Sequence, residues 1–194
     1  MVEIILASKS KVRHDILKQN KIKFSVVPSN VDEDVIKETL SKEGATPEIV
    51  SKNLAELKAN KVSLTQKGEL VLGADSVIDL NGEIISKPIN RIEALGILKK
   101  LNGKKHYLIS SVCISKNGLM TWNYTDKASL TMKKMTEEEL KTYLDKITDE
   151  NLYAYNVYQI EGEGKFLFSK IEGNENTIMG LPIREIKNYL QTLE

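Results

Sequence analysis

An aspartate set between two apolar runs constrains this chain more than any other feature. Glu69-Leu70-Val71-Leu72 leads into Gly73-Ala74-Asp75-Ser76, and Val77-Ile78-Asp79-Leu80 follows. A carboxylate between two strand-like runs, beside a glycine that admits close approach of backbone or ligand, is where an α/β protein holds a metal or a water nucleophile. The pattern predicts strand, Asp75 turn, strand. Gly-Ala-Asp is also an ordinary turn, and the start of the chain tips the balance. There Ile4-Ile5-Leu6-Ala7 runs into Ser8-Lys9-Ser10-Lys11-Val12-Arg13, a turn rich in hydroxyls and cations that opens a helix. One cluster suits phosphate and the other metal, and together they suggest nucleotide chemistry.

The rest of the chain alternates helical and strand patterns. Val2 to Ala7 reads as a buried strand, and Ser10 caps a helix through Gln19 with Ile16 and Leu17 turned inward. Lys23 to Pro28 alternates like a second strand. Asp32-Glu33-Asp34 opens a helix through Lys42, where acids suit the positive end of the dipole. Thr46 and Pro47 start the next helix, to about Ser63, with Ile49, Val50, Leu54 and Leu57 as its apolar face. Asn81-Gly82 and Asn117-Gly118 are hairpin turns. The first returns through Glu83-Ile84-Ile85, and the second joins strands at His106–Ser115 and Leu119–Thr131. Arg91 to Leu101 is a helix. Thr136 with Glu139 forms a capping box for another helix, through Lys146. Lys165 to Ile171 reads as a strand and Pro182 to Leu193 as the last helix. Parallel-type units at the start and hairpins in the middle predict a long, mixed, twisted α/β sheet flanked by helices. No composition shift marks a domain boundary, so a single domain over 1–194 is expected.

Composition narrows the partners. The 28 basic and 27 acidic residues leave a formal net charge of +1, which gives no basic field for nucleic acid. The one cysteine, Cys113, excludes an intrachain disulfide and reads as a buried strand thiol. No stretch approaches the roughly 20 apolar residues of a membrane span. The first apolar run is too short for a signal peptide, and a soluble cytoplasmic protein is the expectation.

Several side chains carry candidate chemistry. Ser8, Ser10 and Arg13, with the helix-start N–H groups, meet phosphate oxygens well; Ser10 as a plain cap among solvated charges is the competing reading. Glu33 offers a hard oxygen to a divalent cation, although an acidic helix start explains Asp32-Glu33-Asp34 more simply. Lys58, next to Leu57 on the apolar-faced helix, either reaches a phosphate or snorkels to solvent, with solvent the default. Lys87 precedes Pro88 and is held extended. Tyr153, Tyr155, Tyr158 and Gln159 could stack on a base and bond to its edge. Two histidines, His14 and His106, are too few for zinc. No Gly-x-Ser-x-Gly elbow occurs. Gly162-Glu163-Gly164-Lys165 lacks the spacer of a P-loop and reads as a turn between strands.

Taken in order, these segments resemble the Maf family, the septum-formation-inhibitor-like nucleoside triphosphate pyrophosphatases. The likeness runs through Leu6-Ala7-Ser8-Lys9-Ser10 with Arg13, Val31-Asp32-Glu33, Leu54-Ala55-Glu56-Leu57-Lys58-Ala59, Gly73-Ala74-Asp75-Ser76, Lys87-Pro88, Leu101 to His106, Tyr158 to Gly162 and Ile178 to Pro182. The resemblance implies a Maf/inosine triphosphate pyrophosphatase-like fold with a central cleft. It implies hydrolysis of a nucleoside triphosphate between the α and β phosphates, with Asp75 as proton acceptor. Mg²⁺ or Mn²⁺ would sit on Asp75 and Glu33. Ser8, Ser10, Arg13, Lys58 and Lys87 would meet the phosphates, and Gln159, Val12 and Ser76 would set base choice. Three departures stand out: Lys11 in place of proline, Val12 where many members carry arginine, and Tyr153 to Gly162 in place of a run containing a second acid. That last departure leaves room for a catalytically weak nucleotide-binding regulator of septum formation. A nucleotidyltransferase and a homodimer also stay open.

Overall fold

The computed structural model describes residues 2–194, apart from the side chains of residues 153–155. Seven strands form one mixed sheet: β1 (Glu3–Leu6), β2 (Lys23–Val26), β3 (Leu70–Leu80), β4 (Glu83–Ile85), β5 (Lys105–Lys116), β6 (Leu119–Met132) and β7 (Phe168–Glu172). Their order is β2-β1-β3-β5-β6-β7, with β4 paired to β3 off this path. β1 runs parallel to β2 and β3, and every other pairing is antiparallel. The expected mixed α/β sheet is therefore present.

The helices are α1 (Lys11–Gln19), α2 (Glu33–Lys42), α3 (Pro47–Thr65), α4 (Arg91–Leu101), α5 (Glu137–Asp145), α6 (Asp149–Tyr155), α7 (Glu175–Ile178) and α8 (Ile183–Gln191). Their starts follow local chemistry. Ser10, Asp32, Thr46 and Thr136 each accept a hydrogen bond from a first-turn N–H, and Thr136 with Glu139 closes the capping box. Side chains alternate across β3. Leu72 and Ala74 join one core with Ile4, Leu6, Ile16, Leu17 and residues of α8. Gly73 and Asp75 look the other way, toward α3. A second core gathers Ile78 and Leu80 with α4, α5, β6 and the segment around Tyr158.

Several expectations are corrected. Asp75 lies within an unbroken strand, not in a turn. Its carbonyl accepts from the Ser51 hydroxyl, and α3 covers its side chain, so the chain passes through without breaking. The buried face of α3 is Val50, Ser51, Leu54, Ala55, Lys58, Ala59 and Val62, while Ile49 and Leu57 are 46% and 39% exposed. The helix meets Gly73 of β3 through its own Ala55 and Ala59, and close approach of backbones selects its small-residue face. Residues Glu163–Leu167 form a 3₁₀-helix, so β7 starts at Phe168 instead of Lys165. The short helices α6 and α7 left no sequence pattern long enough to register.

Candidate active site

The site is built where β3 loses its neighbour. β1 pairs with β3 at Leu70–Leu72, and β4 pairs with it at Ile78–Leu80. Between them one edge of β3 is uncovered. The Leu72 carbonyl still accepts from Ala7 N at 2.8 Å. The next carbonyl on that edge, Ala74, has no strand to meet and accepts instead from Arg13 Nη1 at 3.0 Å and Lys58 Nζ at 3.3 Å. Buried backbone acceptors must find donors, and here two cations supply them. The gap opens into a cleft of about 480 Å³, within the range of small-ligand sites.

Gly73 lets α3 close on the strand. A Cβ there would lie 2.2 Å from the Ala55 carbonyl oxygen and 2.7 Å from Ala59 N. With that approach, Lys58 falls directly over Asp75. Lys58 is only 4% exposed and Asp75 2%, which overturns the expectation that Lys58 points to solvent. Lys58 Nζ lies 2.8 Å from Asp75 Oδ1 and 2.8 Å from Glu33 Oε1. With the Ala74 carbonyl, these contacts occupy all three ammonium donors. Glu33 reaches the site from the first turn of α2, and Lys37, one turn on, lies 3.6 Å from its Oε2. Burial alone would raise the Glu33 carboxyl, but Lys58, then Lys37 and Arg13, outweigh it and hold the pKa below the usual value. Asp75 Oδ2 is buried without a hydrogen-bond partner. A buried, unpaired carboxylate oxygen is costly, and Asp75 is among the residues that line the cleft.

The opposite wall is the α1 turn. Arg13 uses its fork on the protein: Nε donates to the Gly180 carbonyl at 2.9 Å, Nη1 to Ser8 Oγ and the Ala74 carbonyl, and Nη2 to Ser76 Oγ at 3.2 Å. Burial lowers its pKa, against the pull of Asp75 and Glu33, yet an arginine stays charged. Ser8 Oγ also accepts from Ser10 N, and Ser10 Oγ accepts from Arg13 N. Each serine is thus an acceptor toward the protein and keeps its own proton to donate. Both readings of Ser10 hold: it caps α1, and it lines the cleft. Lys87 lies exposed on the rim. Loss of surrounding water, then the nearness of Arg13, Lys37 and Lys58, lowers its pKa, with Glu33 opposing.

Among the base-reading candidates, Gln159 lines the cleft and Val12 does so at the α1 turn. Ser76 is tied into the fold. Ser110 donates to the Thr177 carbonyl at 2.7 Å, so in its 2.8 Å contact with Ser76 the Ser76 hydroxyl is the donor. The side chains of Tyr153 and Tyr155 lie outside the described residues. Sequence reasoning missed Lys37, Glu150 and Glu161, which also line the cleft. Spacing from Glu33 was the one available signal for Lys37.

Cations and hydroxyls, with apolar side chains and an amide, line one cleft of a mixed α/β protein, a lining whose chemistry suits a phosphorylated ligand. The model for Maf-like proteins matches residues 3–193, and the chain belongs to that family. It is 69% identical over 192 residues to a protein of Pelagibacter ubique named nucleoside triphosphate pyrophosphatase, covering 99% of this chain and 98% of the relative. It is 38% identical over 182 residues to a 7-methyl-GTP pyrophosphatase of Brucella abortus, covering 94% and 92%. Among solved structures, a nucleoside-triphosphatase, dITP/XTP pyrophosphatase, of Mycobacterium abscessus aligns at a TM-score of 0.44 and 10% identity, over 98% of this chain and 94% of that one. No helix among the described residues is long and apolar enough to cross a membrane.

Proposed function

We propose that this chain hydrolyses a nucleoside triphosphate to the nucleoside monophosphate and pyrophosphate, with Asp75 as the proton acceptor. One observation carries the reading: Lys58 fixes one oxygen of Asp75, while the other is buried and unpaired on a residue that lines the cleft. Lys58 holds the carboxylate in one orientation, and the bare Oδ2 is left to take a proton from water. The water oxygen bonds to the α-phosphorus, the bridging oxygen leaves with the β-phosphoryl, and the water proton passes to Asp75. Ser8, Ser10 and the α1 N–H groups donate to phosphate oxygens, and Lys87 neutralises the departing pyrophosphate. With its donors engaged by carboxylates and backbone, Lys58 acts on Asp75 and Glu33 instead of on phosphate. Arg13 shapes the turn and adds positive charge from behind it.

The donor set fits a divalent cation. Asp75 and Glu33 offer oxygen only, and Asp75 Oδ2 has lone pairs to give. No group of three or more His, Cys, Asp or Glu side chains gathers among the described residues, so phosphate oxygens and water would complete the shell, as suits Mg²⁺ or Mn²⁺. Such a cation, held by Asp75 and Glu33, would supply charge neutralisation and an acidified water. A cytoplasmic setting, where nucleoside triphosphates abound, goes with this reading.

Pyrophosphate release from each triphosphate, with water as the only acceptor, tests the proposal. A nucleotidyltransferase would need a second acceptor, and a regulator would bind without turnover. Either outcome sinks it. A cationic base such as 7-methylguanine is a second reading of the substrate, favoured by the carboxylates of Glu150 and Glu161 lining the cleft. Including 7-methyl-GTP in the panel decides it.

A further inference from the structure

The cleft wall from Asn156 to Glu161 has no regular secondary structure. Asn156, Tyr158, Gln159, Ile160 and Glu161 all line the cleft, and the segment brings no cation to a phosphate. A wall without a hydrogen-bond ladder reads a base only if something behind it fixes it. Three contacts do so, on three successive residues. The Tyr143 hydroxyl donates to the Val157 carbonyl at 3.0 Å. The Tyr158 hydroxyl lies 2.9 Å from His106 Nε2. The chain then folds back so closely that a Cβ on Gly164 would lie 2.4 Å from the Gln159 carbonyl oxygen and 2.6 Å from its N.

The middle contact is the unusual one. His106 is 0% exposed and Tyr158 6%. His106 stands near the start of β5, opposite Leu130 of β6. The Phe168 ring packs edge-on against Tyr158 with centroids 4.8 Å apart and also touches His106 at 5.9 Å. Burial keeps the imidazole neutral. Nδ1 is buried without a hydrogen-bond partner, so among the described residues the Tyr158 hydroxyl is the one group that bonds to the ring. In either tautomer the bond joins Nε2 to the Tyr158 hydroxyl, which donates or accepts as the ring proton requires. Tyr158 therefore spends its hydroxyl inward on the sheet. Gln159, next in the chain, is half-buried, and among the described residues its amide makes no hydrogen bond.

We propose that the His106–Tyr158 bond is a positioning latch that holds Gln159 in register with the nucleobase and so sets selectivity among triphosphates. The proposal rests on the reading of the cleft as a triphosphate site with its base against this wall. Neither residue of the latch touches phosphate or the attacking water. Losing one neutral hydrogen bond is worth about 5- to 10-fold in an equilibrium, which sets the scale of the effect.

The test compares four variants across a panel of nucleoside triphosphates. Gln159→Ala probes the underlying reading and should flatten the ranking of kcat/KM. Tyr158→Phe keeps the ring and removes only the hydroxyl. It should raise KM for the best substrate about 5- to 10-fold, compress the ranking by a similar factor, and leave kcat within about twofold. His106→Gln, whose amide can still donate to or accept from Tyr158, should keep most of the wild-type ranking. A flattened ranking in Gln159→Ala with an unchanged one in Tyr158→Phe overturns the latch and leaves the wall as base reader. An unchanged ranking in Gln159→Ala overturns the base-reading wall itself. A uniform fall in kcat for Tyr158→Phe makes the contact a general support, which also overturns the latch. Should Tyr158→Phe not fold, Tyr143→Phe frees the wall at Val157 and carries the same expectation and the same refutation.

Discussion

Gly73→Ala is the sharpest test of how the site is assembled. The added methyl would meet the Ala55 carbonyl oxygen at 2.2 Å, Ala59 N at 2.7 Å and Ala59 Cβ at 2.9 Å. Ordinary contact is about 3.5 Å, so α3 must retreat by about 1 Å. The obstructing atoms are mostly backbone, and no rotamer change removes them. Overpacking of this kind costs about 1–3 kcal/mol, and each kcal/mol lowers Tm by about 2–4 °C in a chain of this size. Lys58 rides on the same turn of α3, between Ala55 and Ala59, so its 2.8 Å contact with Asp75 Oδ1 is pulled out as the helix moves. A displacement of about 1 Å at a positioned group costs on the order of 100-fold in rate. Thermal melting and kcat/KM, measured on the same preparation, should fall together. Adding Ala59→Gly relieves only the Cβ contact and should not rescue either quantity. A Gly73→Ala protein with unchanged Tm and kcat/KM within about twofold of wild type would refute the close approach and the placement of Lys58 that depends on it.

Other outcomes follow from the same geometry. Asp75→Asn keeps the size of the side chain and should lose about 10²–10⁴-fold in turnover while circular dichroism stays native; a folded variant with more than about a tenth of wild-type activity removes Asp75 as proton acceptor. Arg13→Lys keeps the charge but cannot reach Gly180, Ala74, Ser8 and Ser76 together, so chemical denaturation should show a loss of about 1–3 kcal/mol, and wild-type stability would return Arg13 to a simple phosphate ligand. The Glu33 carboxyl is held below its unfolded value of 4.5, so its favourable contribution is present above that pH and lost as pH falls through the folded pKa; the stability gap between wild type and Glu33→Gln should be flat above pH 4.5 and close below it. His106 moves the other way in charge: its pKa falls from 6.5 to about 4 on folding, the unfolded chain binds the extra proton, and stability should drop by about 3 kcal/mol between those values. His106→Phe should abolish that slope, and an unchanged slope would mean that the buried imidazole is not its source.

Much of the fold was legible because its signals are local. Ser10, Asp32, Thr46 and Thr136 cap the helices they were expected to start. Both Asn-Gly turns close hairpins, with each asparagine at positive φ. Apolar runs marked β1, β3 and β5. The turn proposed to meet phosphate was readable for the same reason, since Ser8, Ser10 and the α1 N-terminus lie within one stretch of chain and line the cleft together. Signals failed where packing overrides pattern. Ile49 and Leu57 carried the apolar period of α3 but face outward, because a strand glycine draws the helix in by its small residues.

What the sequence determined by itself is the set of elements, the mixed sheet and the chemical inventory of the cleft, because caps, turns and periodicity are decided within a few residues. The tertiary structure alone decided which charges meet. Asp75 was expected in a turn and Lys58 in solvent or on a phosphate, yet they form a buried pair, with Glu33 added from α2. No local rule encodes that meeting. It depends on β1 and β4 leaving one edge of β3 uncovered, and on Gly73 letting α3 come close enough to lay a lysine over the aspartate. Charge pairing of this kind is a property of distance, and distance between residues far apart in sequence exists only once the sheet has formed.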